Sequence, residues 1–205
     1  MPRCQGIIAG RKSMERIANI SSSIIAGGKS TRFGQDKTLY PFQGKPLIEH
    51  VVAIMREIFE EVCIISGDSA KFEYLNLPVY ADIIPDLGPI GGIYTALVHL
   101  KREGTFIVPC DMPYLNADLI RYMASLPVKY DVVVPFVNGF FEALHAIYSI
   151  NCLEPVERMI RSGRRQVIGF FDEVHLRKIT EEEISFYDDV DKIFENINYP
   201  EDTLL

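Results

Sequence analysis

From residue 22 onward, short β-branched runs alternate with segments whose apolar positions recur at helical spacing. Residues 22–26 read as a strand. Residues 46–59 carry Leu47, Val51, Ile54, Met55 and Ile58 on one helical face, and Pro46 is acceptable in a first turn. Strand-like runs follow at 61–66 and 79–81, then a helix at 90–101 introduced by Gly88-Pro89. A buried-strand run at 105–109 stops at Cys110-Asp111-Met112-Pro113. Residues 117–125 read as a helix behind an Asn116 cap. Strands at 131–135 and 143–149 and a helix at 153–162 complete the pattern. Between 167 and 191, aromatic and acidic residues mix without a dominant period, which predicts short irregular elements. The order β-α-β-(β)-α-β-α-β predicts a mostly parallel sheet with helices on both faces. In such sheets ligands bind beyond the carboxyl ends of the strands. The residues that follow those ends are a glycine loop, Asp68, Asp82 and Asp111, so the pattern places them on one rim.

The chain's 205 residues suffice for one α/β domain with a sizeable core. No linker or low-complexity tract divides it after residue 22. Residues 1–22 read as a flexible or loosely docked extension and residues 23–205 as a single domain. Within the extension, Gly6-Ile7-Ile8-Ala9-Gly10-Arg11-Lys12-Ser13 nearly duplicates residues 23–30 but lacks the second glycine, so it is left out of the site; Met14 is an alternative start. Arg3, Arg11, Lys12 and Arg16 argue against a secretory signal, which leads to the expectation of a cytoplasmic protein. The net charge of -7 argues against nonspecific nucleic-acid binding, so an anion must be held by a local basic loop. No apolar run reaches the roughly 20 residues that span a bilayer. Four cysteines without a C-x-x-C pair predict reduced thiols rather than a zinc site. The four histidines lack metal-ligand spacing, and His145, in an alternating run, reads as a structural residue with satisfied hydrogen bonds.

Three segments carry candidate chemistry. In Ile25-Ala26-Gly27-Gly28, a buried strand enters a double glycine, and Arg32 and Lys37 follow. Glycines allow close backbone approach, successive N–H groups can form an anion nest, and the two cations add charge. The spacing is neither that of a Walker A loop nor that of a dinucleotide fingerprint; the alternative is a plain strand-to-loop turn. In the second segment, Asp111 at a strand end before a proline-stiffened turn suits Mg²⁺, which takes one or two carboxylates plus phosphate oxygens; the alternative is an Asp bonded to its own turn. The third segment, from Asp82 to Gly92, joins a post-strand acid to Gly88-Pro89-Ile90-Gly91-Gly92. Asp82 could accept two hydrogen bonds side by side from a guanine edge, or the segment could be a packing turn.

Together these residues resemble the molybdenum cofactor guanylyltransferases. The resemblance rests on Ile25-Ala26-Gly27-Gly28-x-Ser30-x-Arg32-Phe33-Gly34-x-Asp36-Lys37, then Gly44-Lys45-Pro46-Leu47, Asp82 through Gly92, Cys110-Asp111-Met112-Pro113, and Asn196-Ile197-Asn198-Tyr199-Pro200-Glu201-Asp202. It implies a three-layer α/β/α, Rossmann-like nucleotidyltransferase fold. The implied activity is transfer of GMP from GTP to molybdenum-molybdopterin, with Mg²⁺ as cofactor. It further implies handover of the product to cofactor-insertion proteins or apo-molybdoenzymes. Under it, Arg32, Lys37 and Asp111 are catalytic, and Asp111 holds the metal. Ile25, Ala26, Gly27, Gly28, Ser66, Asp82, Gly88, Pro89, Asn198 and Asp202 contact nucleotide, phosphate or metal. Phe33 and Ala143 depart from the family's more usual Met and Pro. The alternatives are a cytidylyl- or uridylyltransferase and a non-catalytic GTP-binding protein.

Overall fold

The alternating pattern resolves into one twisted sheet between two helical layers. A computed structural model describes residues 15–27, 37–126 and 129–197. Strand β1 (Ile20–Ile25) leads through a 3-10 turn at Lys37–Leu39 and a small hairpin, β2 (Pro41–Phe42) and β3 (Lys45–Pro46), into α1 (Leu47–Ile58). Strand β4 (Val62–Ile65), a 3-10 segment (Ala70–Leu75), β5 (Val79–Tyr80), α2 (Pro89–Val98), β6 (Gly104–Pro109) and α3 (Ala117–Ser125) follow. The second half contains β7 (Val132–Val137), β8 (Phe140–Phe141), β9 (Ala146–Ser149), α4 (Leu153–Arg161), β10 (Leu176–Ile179), α5 (Glu181–Ile184) and α6 (Val190–Ile193).

The sheet order is β10-β7-β9-β6-β1-β4-β5, with β8 on β7. Strands β1, β4, β5 and β6 are mutually parallel, as β7 is to β10. Strand β9 is antiparallel to both of its neighbours. The run at 143–149 gave no sign of this reversal. Its cause is the connection: β7 and β9 are joined by a short folded-back segment, too short for the helical crossover that parallel neighbours need.

The two faces of the sheet bury separate cores. Against one, α1, α3, α5 and α6 pack Ile48, Val51, Met55, Leu119, Ile184 and Ile193 onto Ile24, Phe106 and Val108. Against the other, α2 and α4 pack Ile90, Ile93, Val156 and Met159 onto Ile65, Ile107 and Tyr148. Each fully buried side chain of this size contributes roughly 1.5–3 kcal/mol. Asn116 caps α3 as expected, its side chain accepting from the Leu119 N–H at 3.0 Å.

The boundary expected after residue 22 is displaced. Strand β1 begins at Ile20, Ile17 donates to the Ile58 carbonyl at 2.8 Å, and Arg121 donates to the Glu15 carbonyl. Residues 15–22 are thus docked as part of the sheet and its margin. The serine run at 21–23 concealed where the strand starts, because these polar side chains are buried. Ser23 Oγ compensates through Thr105 Oγ1 at 2.9 Å and Cys63 Sγ at 3.3 Å. The near-duplicate at residues 6–13 and Met14 lie outside the described residues. Among the described residues, no helix is long and apolar enough to cross a membrane.

Candidate active site

The carboxyl ends of β1, β4, β5 and β6 form one rim, and the expected residues that are described gather there. At the end of β1, the Cys110 N–H donates to the Ile25 carbonyl at 3.1 Å and the Ala26 N–H donates to the Ile65 carbonyl at 2.9 Å. The sheet therefore uses these groups of Ile25 and Ala26, and Gly27 is the first residue past them. A side chain at Gly27 would stand 3.7 Å from Asp82 Oδ2, so the carboxylate of Asp82 faces this glycine across the tip of the sheet. Burial raises the Asp82 carboxyl above the ordinary carboxylate range. Gly28 and Arg32 lie outside the described residues, as do Asn198 and Asp202.

Lys37 and Asp111 meet directly. Lys37 Nζ donates to Asp111 Oδ2 at 2.6 Å, with both side chains largely buried. The 3-10 turn that carries Lys37 is tied to α1, since the Tyr40 N–H donates to the Lys37 carbonyl and the Leu47 N–H to the Tyr40 carbonyl. Phe42, Leu47, Tyr114 and Ile197 pack as a small apolar floor beside it. Asp111 is held from the other side by its own carbonyl, which accepts from the Ile197 N–H at 3.0 Å. This bond brings the start of the Asn196-Ile197 segment to the Asp111 turn.

The second carboxylate oxygen is unusual. Asp111 Oδ1 is buried and has no hydrogen-bond partner among the described residues. An ionised oxygen left in this state costs at least about 1–3 kcal/mol. A hard cation beside it would remove that cost, so the donor fits Mg²⁺. No cluster of three His, Cys, Asp or Glu side chains occurs among the described residues.

Helix α2 aims its amino terminus at the same rim. Gly88 adopts φ +67°, which favours glycine, and Pro89 starts the helix. The approach is close: a Cβ on Gly92 would lie 3.0 Å from Ile25 Cδ1. The positive end of α2 thereby sits beside the end of β1, where an anion would gain from it. Thr95 Oγ1 accepts from the Ile83 N–H at 3.0 Å, and Arg165 donates to the Asp86 carbonyl at 2.9 Å, so both ends of the Asp82–Gly88 loop are anchored.

Two assignments shift. Ser66 lies at the end of β4, but its hydroxyl is buried and accepts from the Asp68 N–H at 3.3 Å, forming a local turn rather than an open contact. His145 is structural without being satisfied. It is fully buried edge-on between Phe106 and Phe194, both ring centroids 5.0 Å away, and neither ring nitrogen has a partner among the described residues. Burial lowers its pKa to about 3.

Lys71, in the 3-10 segment after β4, has its ammonium 4.8 Å from the Phe72 ring centroid. Burial dominates at Cys110, pushing its thiol up to about 12, so it is no nucleophile. Cys63, Cys110 and Cys152 are free thiols.

Comparison with known proteins agrees with this geometry. Residues 23–177 match the family described as MobA-like NTP transferase domain. A relative from Pelotomaculum thermopropionicum, named "Probable molybdenum cofactor guanylyltransferase", is 35% identical over 87% of this chain and 87% of its own. One of the same name from Carboxydothermus hydrogenoformans is 35% identical over 90% and 93%. The crystal structure of molybdopterin-guanine dinucleotide biosynthesis protein A from Archaeoglobus fulgidus superposes with a TM-score of 0.75 at 23% identity, covering 92% of this chain and 95% of that one.

Proposed function

The chain belongs to the MobA-like NTP transferase family, and from that premise we propose that it transfers GMP from GTP to the terminal phosphate of molybdenum-bound molybdopterin. It is a nucleotidyltransferase. The observation that carries the reading is the Lys37–Asp111 pair with its unpartnered Asp111 oxygen, at the rim where β1 and β6 end.

In the reaction, an oxygen of the acceptor phosphate attacks the α-phosphorus of GTP. A new P–O bond forms, the α–β bridging bond breaks, and pyrophosphate leaves with the electron pair. The attacking phosphate is already ionised near neutral pH, so the site needs no strong base. Its task is positioning and charge neutralisation. Lys37 neutralises Asp111 and, with GTP bound, serves the triphosphate. Arg32 serves the same anion. Asp111 would hold Mg²⁺ through Oδ1, and the ion when bound supplies Lewis-acid neutralisation of phosphate oxygens. The backbone from Ile25 to Gly28 and the Gly88-Pro89 start of α2 line the nucleotide. Asp82 accepts hydrogen bonds from the guanine edge, and Asn198 and Asp202 serve the phosphate or metal side. The net charge of -7 supports action without nucleic acid. The product would pass to an insertion protein or apo-molybdoenzyme.

The test is pyrophosphate release with Mg²⁺, molybdenum-bound molybdopterin and each of the four nucleoside triphosphates. Release with GTP well above the others is expected. Equal release with CTP or UTP, or none with GTP, overturns the proposal.

A further inference from the structure

Beyond the nucleotide residues, the rim has a second half. Gly27, Asp82 and Gly88 lie on the β1-β4-β5 side of Asp111. On the other side β9 is reversed, and β7 runs on past it. Ile147 pairs with Val133 of β7 and Ala146 pairs with Ile107 of β6, so Val134 and Ile107 are nearly level across the sheet. Strand β7 continues from there to Val137, and β8 folds back so that Phe140 stands opposite Val137. Asp111 rises beyond Ile107 by a similar length of chain. The two columns are separated by two strand spacings, about 10 Å in all.

The direction also agrees. Val137 belongs to the core on the α1 side, together with Cys110 and Met112. Residues directly opposite in an antiparallel ladder share a face, so Phe140 points to the side on which Lys37 meets Asp111. The hairpin is braced by specific contacts. Asn138 and Gly139 have φ of 51° and 82°, as a tight two-residue turn of type I′ requires. The Asn138 N–H donates to Glu181 at 2.6 Å. Behind the turn, Lys178 Nζ lies 4.7 Å from the Phe136 ring centroid and 5.0 Å from that of Phe141. Phe141 in turn packs edge-on against Phe171. On this braced hairpin Phe140 is 74% exposed.

We propose that Phe140 is the platform on which the flat heterocycle of the acceptor stacks, making the β7-β8 hairpin the acceptor-recognition element of the site. The inference rests on the guanylyl-transfer reading, because that acceptor carries a phosphate at one end and a pterin at the other. With its phosphate at Asp111, its fused rings would reach toward the hairpin alongside residues 194–197, whose Phe194 packs on His145 at the head of β9. An aromatic ring held with an open face is suited to stack on such a heterocycle.

The chain contains no tryptophan, so Phe140→Trp places a single indole at the hairpin tip. Molybdopterin should quench its fluorescence saturably, and GTP alone should not. Phe140→Ala should raise KM for the acceptor about tenfold, the lower end of what base–aromatic stacking contributes. It should leave KM for GTP and kcat within about twofold, and Phe140→Tyr should restore acceptor KM. Quenching by GTP alone, absence of quenching by molybdopterin, or an unchanged acceptor KM in Phe140→Ala would overturn the proposal. The titration needs no turnover. A wild-type protein that releases no pyrophosphate would remove the guanylyl-transfer reading, while quenching would still report on the hairpin.

Discussion

Replacing Asp111 with Asn tests the core of the site, because it keeps the shape and removes one charge. The Lys37–Asp111 contact of 2.6 Å corresponds to a gross attraction of about 6 kcal/mol at an effective dielectric constant of ~20. Desolvation cancels most of this, and a hydrogen bond to a charged partner nets about 1.5–3 kcal/mol. Against that loss, the Asp111→Asn variant would no longer bury an unpartnered anionic oxygen, whose present cost is of the same size. The two changes nearly offset, so the unliganded variant should unfold within about 1–2 kcal/mol of wild type. Catalysis has no such compensation. A cation anchored at Oδ1 would stabilise transition-state charge by several kcal/mol, and losing about 4 kcal/mol lowers the rate about 1000-fold. Denaturant unfolding measures the first quantity, and pyrophosphate release with GTP, acceptor and Mg²⁺ measures the second. Turnover within a few-fold of wild type would refute the role of Asp111. A large loss of stability would instead show that the pair is structural.

Other expectations concern the neighbouring residues. Asp82→Asn should weaken GTP about tenfold in calorimetry and leave ATP unaffected; equal losses would exclude base reading. Because burial raises the Asp82 carboxyl, wild-type GTP affinity should begin to fall at a pH above the ordinary carboxylate range, and the Asn variant should lack that fall. Gly92→Ala gains up to about 1 kcal/mol of helix propensity but crowds Ile25, at a cost of about 1–3 kcal/mol. Its melting temperature should change little or fall slightly while KM for GTP rises as the end of β1 shifts; an unaltered KM would mean that the α2 approach does not set the site. His145 supplies a pH dependence. Its pKa is about 3 folded and 6.5 as a reference, so between those values the unfolded chain binds the extra proton. Stability should therefore fall as pH drops from 6.5 toward 3, by up to about 5 kcal/mol from this residue. Asp131 adds to the same trend. Burial opposes its ionisation, but bonds from His175, Asn151 and Ser149 outweigh burial and hold it below the usual range. A His145→Leu variant whose stability has the wild-type pH slope would refute the assignment to His145.

The strands and helices around the nucleotide half were legible because each is a local pattern. The spacing of Leu47, Val51, Met55 and Ile58 reports one face of α1, and Gly88-Pro89 reports the start of α2. The position of Asp111 was legible for the same reason: a buried run ends at a turn. What escaped were facts set by partners distant in sequence. Ser21, Ser22 and Ser23 are interior because β4 and β6 flank them, and no local composition says so. The reversal of β9 depends on where β7 turns back. The unpaired state of His145 depends on Phe106 and Phe194, which come from distant parts of the chain.

The reversed strand also explains why this rim divides in two. A parallel strand between β6 and β7 would deliver its own carboxyl-end loop into the space beside Asp111. Strand β9 instead presents its beginning there, and the chain arrives through His145, which is buried beneath the rim. Its far end turns into α4 at the opposite edge of the sheet. Asp111 and the β7-β8 hairpin stand about two strand spacings apart, and residues 194–197 run between them, with Phe194 against His145 and Ile197 bonded to the Asp111 carbonyl. One antiparallel strand thus sets the separation between the phosphate site and the exposed ring of Phe140, and lengthening the hairpin turn would disturb acceptor binding before it disturbed GTP.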